Sequence, residues 1–480
     1  MKKFLYLLFI YTLVALMVSC QSATPTGTPA PVGPTEESVS TSPTEAPQPT
    51  EKRVFHIQGS ARDVPGQEEA WREVFAAFEN EYNVDIEVRW QGLWSDIPQQ
   101  LQTARMANEP VDITTCGANQ VNSTLARSGV LMDITELIKP FQDRFVEGMI
   151  DPYTIGGKVW AMPWDVASTS VVVYNIDIFN ELGLEEPTTY EDLVEAADTI
   201  KDQKGIMPWV HQGKAPWMWP MWFFESFAQT SGNQSIEFTN DFLTGNRKFN
   251  SPEEIAAFEA LGKFYQDGVL TTESLDTDTE GMRAAFAQQK AAMMYVGTWE
   301  FPNIRDSVKD FEVGIFEFPI VTDKPGVVSQ HGGGPDGCLA IPSFAPKENI
   351  DLQAQFLEFV SRAENANKIL GPALPIVPVL ESVPPVDDPL APELNSEFTP
   401  HTIRFLDWIW PVEVNDAVMQ AVPAVLVGEM SPEDAAANVQ DAFDKVVVEK
   451  DYSFDWWTIW TADDWALVTP SSIPTIEVKE

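Results

Sequence analysis

VFHIQGSARDVPGQEEAWREVFAAFENEYNVDIEVRW (residues 54–90) is the stretch from which the fold can be read. Residues 54–57 are a short apolar run ending at Gly59-Ser60, which reads as a strand and its turn. Trp71, Val74, Phe75, Phe78 and Tyr82 then recur at helical spacing, which predicts an amphipathic helix over 68–82. Val84, Ile86, Val88 and Trp90 alternate with Asp85, Glu87 and Arg89, the period of a strand. Residues 97–108 return to helix, and 111–115 form a third strand. The order β-α-β-α-β implies a parallel sheet with right-handed crossovers. Ligands in such sheets bind beyond the carboxyl ends of the strands. That puts residues 59–63, 94–96 and 116–119 on one rim.

A second alternating unit starts after Pro163. Residues 170–174 (SVVVY) read as a strand, and Thr189-Tyr190-Glu191-Asp192 as a capping box opening a helix through Leu193, Val194, Ala197 and Ile200. Ser251-Pro252-Glu253-Glu254 and Ser431-Pro432-Glu433-Asp434 open two more helices with the same device. Residues 281–289 read as helix and 291–296 as a buried strand ending at Gly297-Thr298-Trp299-Glu300. There is no repeat of solenoid length.

With 480 residues, 44% of them hydrophobic, the chain can bury two large cores or three smaller ones, which excludes a disordered protein or a disulfide-stapled miniprotein. Its net charge of −42 argues against nucleic acid as a partner, and against an anionic membrane surface except through an anchor. The 16 Trp and 28 Phe are the more informative excess.

The first twenty residues, MKKFLYLLFIYTLVALMVSC, place Lys2 and Lys3 before an apolar run too short to span a membrane, which predicts an export leader over 1–19. Leu16-Met17-Val18-Ser19-Cys20 resembles the bacterial lipobox, which makes Cys20 the expected lipidation site. Between Gln21 and Thr50, 18 of 30 residues are Ser, Thr or Pro, so 20–52 is expected to be a flexible tether. Only Cys116 and Cys338 remain in the folded part, and their pairing is left open by the sequence.

Six segments in order resemble the family 1 extracellular solute-binding proteins that feed ABC importers, the maltose-binding protein among them. They are GKVWAMP (157–163), VVVYNIDIFNELGLEEPTTYEDLVEAA (171–197), AFAQQKAAMMYVGTWE (285–300), FEFPIV (316–321), GGGPDGCLAIP (332–342) and AVPAVLVGEMSPEDAAANVQDAFDKV (421–446). The resemblance implies a two-lobed α/β periplasmic-binding-protein-like fold of type II, its hinge-linked lobes each built on a mixed, mostly parallel sheet flanked by helices. Crossings are expected near Pro163, Glu300 and Pro342, which assigns 53–162 and 301–342 to lobe 1 and 163–300 and 343–450 to lobe 2. Residues 451–480, with Trp456, Trp457, Trp460 and Trp465, form an extension that either packs on the second lobe or covers a partner surface.

Aromatic faces suit the C–H faces of sugar rings, while carboxylates, amides and Gly-exposed N–H groups bind hydroxyls. Trp94 with Asp96, Asn119, Trp164-Asp165, Trp217 and Trp219 in APWMWPMWFF, and Trp299-Glu300 all fall at rim positions. His331-Gly332-Gly333-Gly334 offers an imidazole beside bare backbone, with Gly333 and Gly334 as close-approach points. By resemblance, Trp299 and the pair Trp408 and Trp410 sit where maltose-binding proteins stack sugars. Trp71, Trp90, Trp209 and Trp222 are assigned to the core.

The expectation is therefore a monomeric, lipid-anchored receptor at the outer face of the cytoplasmic membrane or in the periplasm. It holds a saccharide, docks on ABC permease transmembrane subunits, uses no cofactor or metal, and catalyses nothing. The alternatives are the same fold binding a polyamine or another small solute and, at a greater distance, a secreted glycoside hydrolase. The hydrolase needs two carboxylates astride a glycosidic bond, which 72 acids satisfy without information. The sequence contains no G-x-S-x-G, H-E-x-x-H or P-loop motif.

Overall fold

The computed structural model describes residues 52–60, 64–90, 94–373, 376–446 and 455–479. The leader, Cys20 and nearly all of the tether therefore lie outside the described residues. In chain order the strands are β1 (Arg53–Gly59), β2 (Val84–Trp90), β3 (Ile113–Gly117), β4 (Thr154–Ile155), β5 (Lys158–Val159), β6 (Met162–Pro163) and β7 (Val166–Asn175). There follow β8 (Met207–Val210), β9 (Ala291–Gly297), β10 (Val313–Phe316), β11 (His331–Pro335), β12 (Gly337–Ala340), β13 (Val377–Pro378) and β14 (Thr402–Arg404).

One sheet runs β2-β1-β3-β12-β6. Its N-terminal half is parallel, as the β-α-β-α-β pattern requires, and β12 joins β3 and β6 antiparallel. The helix Gln67–Tyr82 buries Trp71, Val74, Phe75 and Phe78, a stripe at the predicted spacing. The second sheet runs β14-β11-β7-β9-β8, with β10 and β13 also pairing with β7. The central β7 is longer than the predicted 170–174 because Val166–Asn175 is covered on both faces along nearly its whole length.

Among the described residues the chain leaves the first sheet after β6 and returns to it at Asp336, between β11 and β12; later β13 pairs with β7, after which Val379 and Leu380 join Val146 and Phe145 in the first lobe. The expected crossings at Glu300 and Pro342, and the lobe assignment built on them, need correction. The helix Phe301–Ser307 continues from β9, and β10 and β11 both pair with β7, so 301–335 stays with the second sheet. After β12 the helices Ile350–Val360 and Ala363–Leu370 stay with the first sheet. There Phe356 packs 5.4 Å from Phe55 and 5.1 Å from Phe78, filling the face that β1 and its helix leave open.

Local chemistry sets the helix starts. Thr189 and Asp192 form the reciprocal capping box, and Ser431 accepts from the Asp434 N–H. The Ser251 hydroxyl instead donates to Lys248 O, so the helix Pro252–Gln266 begins without that cap.

Two features knit the first lobe. Cys116 and Cys338 stand opposite each other in the β3–β12 register and are joined by a disulfide, with Cα atoms 4.9 Å apart. The described part of the C-terminal extension packs on this lobe rather than on the second. Trp456 and Trp465 lie 5.7 and 6.2 Å from Trp160, and Lys158 Nζ sits 4.8 Å over the Trp465 ring. The Asp133 N–H donates to Val468 O, and the Lys479 N–H donates to Glu358 Oε1 beyond it. Among the described residues no helix is long and apolar enough to cross a membrane.

Candidate ligand-binding site

Two of the crossings run side by side and place the site between the lobes. The Trp164 N–H donates to Gly337 O. A Cβ on Gly337 would stand 2.5 Å from the Asp165 side chain, so glycine is what lets the strands approach. Tyr153, fully buried, donates from its hydroxyl to Pro335 O and Gly337 O and pins the Asp336 crossing to the first lobe. Burial, together with the charges of Asp336 and Asp165, raises the Tyr153 pKa, and Arg404 partly offsets them.

On the first-lobe rim, Trp94, Asn119 and Asp336 converge on Gly117. A Cβ there would lie 2.8 Å from Asn119 Oδ1, 2.9 Å from Trp94 Nε1 and 3.1 Å from Asp336 Oδ1. Asp336 is fixed because both its carbonyl and Oδ1 accept from the Ala118 N–H, at 2.9 and 3.0 Å. Gln120 holds the turn, donating from Nε2 to Trp94 O and accepting the Gly117 N–H at Oε1.

On the second-lobe side, four rings form a row. Trp217 and Trp299 are 6.0 Å apart, Trp299 and Phe405 6.3 Å, and Phe405 and Trp408 5.3 Å. Trp217 is 43% exposed and Trp299 half-buried, whereas Phe405 and Trp408 are buried, so the row grades from solvent inward. Trp408 lies over Gly334, whose φ of 116° and missing side chain admit the ring. The turn Leu406–Trp408 rests against the first-lobe turn Ala118–Gln120. Thr298 accepts the Thr169 N–H, and the Thr169 and Thr402 hydroxyls are 2.8 Å apart beside the row.

Of the expected contacts, the structure brings Trp94, Asn119, Asp165, Trp217, Trp299, Gly334 and Trp408 to this interlobe region. The others go elsewhere. Trp164 is 1% exposed, its ring edge-on to Trp71 in the first-lobe core. Trp219 begins the helix Trp219–Thr230, every residue of which is buried, and donates to Gly213 O. Trp410 is enclosed by Phe223, Phe224, Phe249 and Phe443 and donates to Thr239. Glu300 is held by Arg283 in a bidentate pair at 2.8 Å. His331 is buried between Glu317, 3.0 Å from Nε2, and Glu225, 3.8 Å from Nδ1. Gly333 serves strand contact, since a side chain there would strike Ser168 O. Asp96 is exposed in the turn preceding the helix Ile97–Ala107.

Sequence reasoning missed Asp336, Arg404, Phe405 and Asp407. Asp407 Oδ1 is buried with no hydrogen-bond partner among the described residues, and burial with the nearby Asp336 charge pushes its carboxyl up to about 8. Arg404 is half-buried, and burial lowers its pKa against the pull of Asp151. Asp336 stands in the quoted GGGPDG and Asp407 just before the expected Trp408, where a lone carboxylate beside a glycine run or an aromatic was the available signal.

The sequence profile of the bacterial extracellular solute-binding proteins matches residues 64–367. An uncharacterized ABC transporter extracellular-binding protein of Pyrococcus horikoshii is 26% identical over 302 residues, 60% of this chain and 65% of its own. The multiple sugar-binding protein of Streptococcus mutans is 25% identical over 272 residues, 54% of this chain and 61% of its own. The matched part of the chain thus spans just under two thirds of these relatives. A solved structure described as a chitin oligosaccharide binding protein superposes with a TM-score of 0.69 at 19% identity, covering 82% of this chain and 99% of that one.

Proposed function

The chain belongs to the bacterial extracellular solute-binding protein family, and from that premise we propose that it is the substrate-binding component of an ABC importer for a sugar or oligosaccharide. The observation that carries the reading is the graded row Trp217, Trp299, Phe405 and Trp408 on one lobe, facing Trp94, Asn119 and Asp336 on the other. Rings of this kind offer flat apolar faces to a pyranose, and the carboxylates and amide take its hydroxyls. Ligand touching both lobes binds the closed arrangement better than the open one and shifts the population toward it by motion at the crossings. The closed form then docks on the permease transmembrane subunits. Lipid at Cys20 tethers a monomer to the outer face of the membrane, and the protein binds without chemistry.

The test is a Trp-fluorescence and melting titration against mono- and oligosaccharides, with polyamines as a second panel. A saturable shift with a saccharide, weakened at least about tenfold in Trp299→Ala, supports the reading. A response to polyamines alone, or the release of shortened sugars, overturns it.

A further inference from the structure

We infer that the interlobe site is built for a saccharide bearing a protonated amine, with Asp407 as its counter-charge and Asp336 as the second carboxylate of the pair. This deepens the proposed function and rests on it.

Asp407 carries an unmet requirement. Asp407 sits in the turn Leu406–Trp408, where the second lobe rests on the Ala118–Gln120 turn of the first. Its Oδ1 is buried and has no donor among the described residues. A carboxylate taken out of water needs a cation or several donors. Within its own turn only the Asp407 and Trp408 N–H groups act on it, and the charge that reaches it from outside is Asp336, of the same sign. Asp336 is immobilised by the Ala118 N–H. Among the described residues, Arg404 acts on Tyr153, in a neighbourhood shared with Asp165 and Asp336, and is drawn by Asp151 rather than by Asp407. The missing counter-charge therefore arrives with the ligand.

A primary ammonium brings one positive charge and three donors, and the adjoining Trp408 ring suits a cation at close range. A neutral hydroxyl brings one donor and no charge, and a quaternary ammonium has no donors. With the site empty the Asp407 carboxyl keeps its proton below about pH 8. When the ammonium pairs with the carboxylate, that proton leaves to solvent, so the charge change balances at one proton released per ligand.

The test is calorimetry at pH 6, where the ligand amine is already protonated, on the full-length protein in mild detergent, in two buffers of different ionisation enthalpy. The probes are glucosamine oligomers, their N-acetylated counterparts and unsubstituted gluco-oligomers. The expected result is that the amine-bearing oligomers bind at least about tenfold tighter than either neutral set and release about one proton. Asp407→Asn abolishes the proton release and collapses the preference. Asp336→Asn, which alters the second carboxylate from the crossing between β11 and β12, reduces the preference and serves if the first variant does not fold. Equal or tighter binding of the neutral oligomers, or proton release that persists in Asp407→Asn, overturns this inference and leaves the sugar receptor standing. Failure of every saccharide, neutral or amine-bearing, overturns both.

Discussion

Removing the disulfide tests how the first lobe's sheet is closed most directly. Cys116 and Cys338 are 222 residues apart, and the loop they close contains nearly all of the second sheet. Closing a loop of that length removes roughly 18 cal/mol/K of unfolded-chain entropy, which at 25 °C is about 5 kcal/mol of stability. The perturbation is the double variant Cys116→Ala/Cys338→Ala, beside wild type held reduced, so that the loss of the bond is separated from the loss of the sulfur atoms. The assay is urea unfolding followed by Trp fluorescence and far-UV circular dichroism. With a slope of about 4 kcal/mol/M, above the small-protein range as the chain length requires, the midpoint falls by roughly 1.3 M. The reduced protein should lose nearly as much as the variant, because the paired strands β3 and β12 keep their register without the bond. A midpoint unchanged within about 0.3 M in both forms refutes the reasoning, since the bond would then constrain nothing that unfolding releases.

Gly117→Ala pushes a methyl among Asn119, Trp94 and Asp336 and should weaken ligand binding at least about tenfold and also lower the melting temperature, because Asp336 Oδ1 and Asn119 Oδ1, held by the Ala118 and Gln120 N–H groups, must give way; an unchanged affinity removes this trio from the site. Trp456→Ala should cost about 3–5 kcal/mol in urea unfolding, since the ring is 4% exposed and packs against Trp160 and Trp460; a loss below about 1 kcal/mol makes the extension an appendage rather than core. Glu225 is pushed up to about 7 by burial, so its contribution to stability is fully present below about pH 4.5 and is lost as pH rises through 7. Glu225→Gln should therefore gain on wild type by up to about 3 kcal/mol across that window and no further above it, read as the difference between two melting-versus-pH curves; parallel curves sink the assignment.

The elements were legible because their signals are local. The stripe of Trp71, Val74, Phe75 and Phe78, the β-branched run of β7 and the Thr189–Asp192 cap each need only a few neighbouring residues to declare themselves. The crossing near Pro163 was expected from the family resemblance rather than from a local signal. The tryptophans were harder. Trp299 and Trp410 look alike in sequence, each near a polar residue at the end of an apolar run. One ring ends in the interlobe row and the other among Phe223, Phe249 and Phe443, because burial depends on residues contributed by other elements.

By itself, then, the sequence determined the alternation of strands and helices, the family resemblance and the segments that carry the rim of the cleft, all of them properties of short windows. Only the tertiary structure decided which sheet claims 301–335 and which claims the helices after β12, because strand partners are chosen across hundreds of residues. It alone paired Cys116 with Cys338 and laid the C-terminal tryptophans on the first lobe. It alone left Asp407 Oδ1 buried near Asp336, since whether a carboxylate is satisfied depends on every group that reaches it, and the Ala118–Gln120 turn, Asp336 and Asp407 come together only once both lobes have folded.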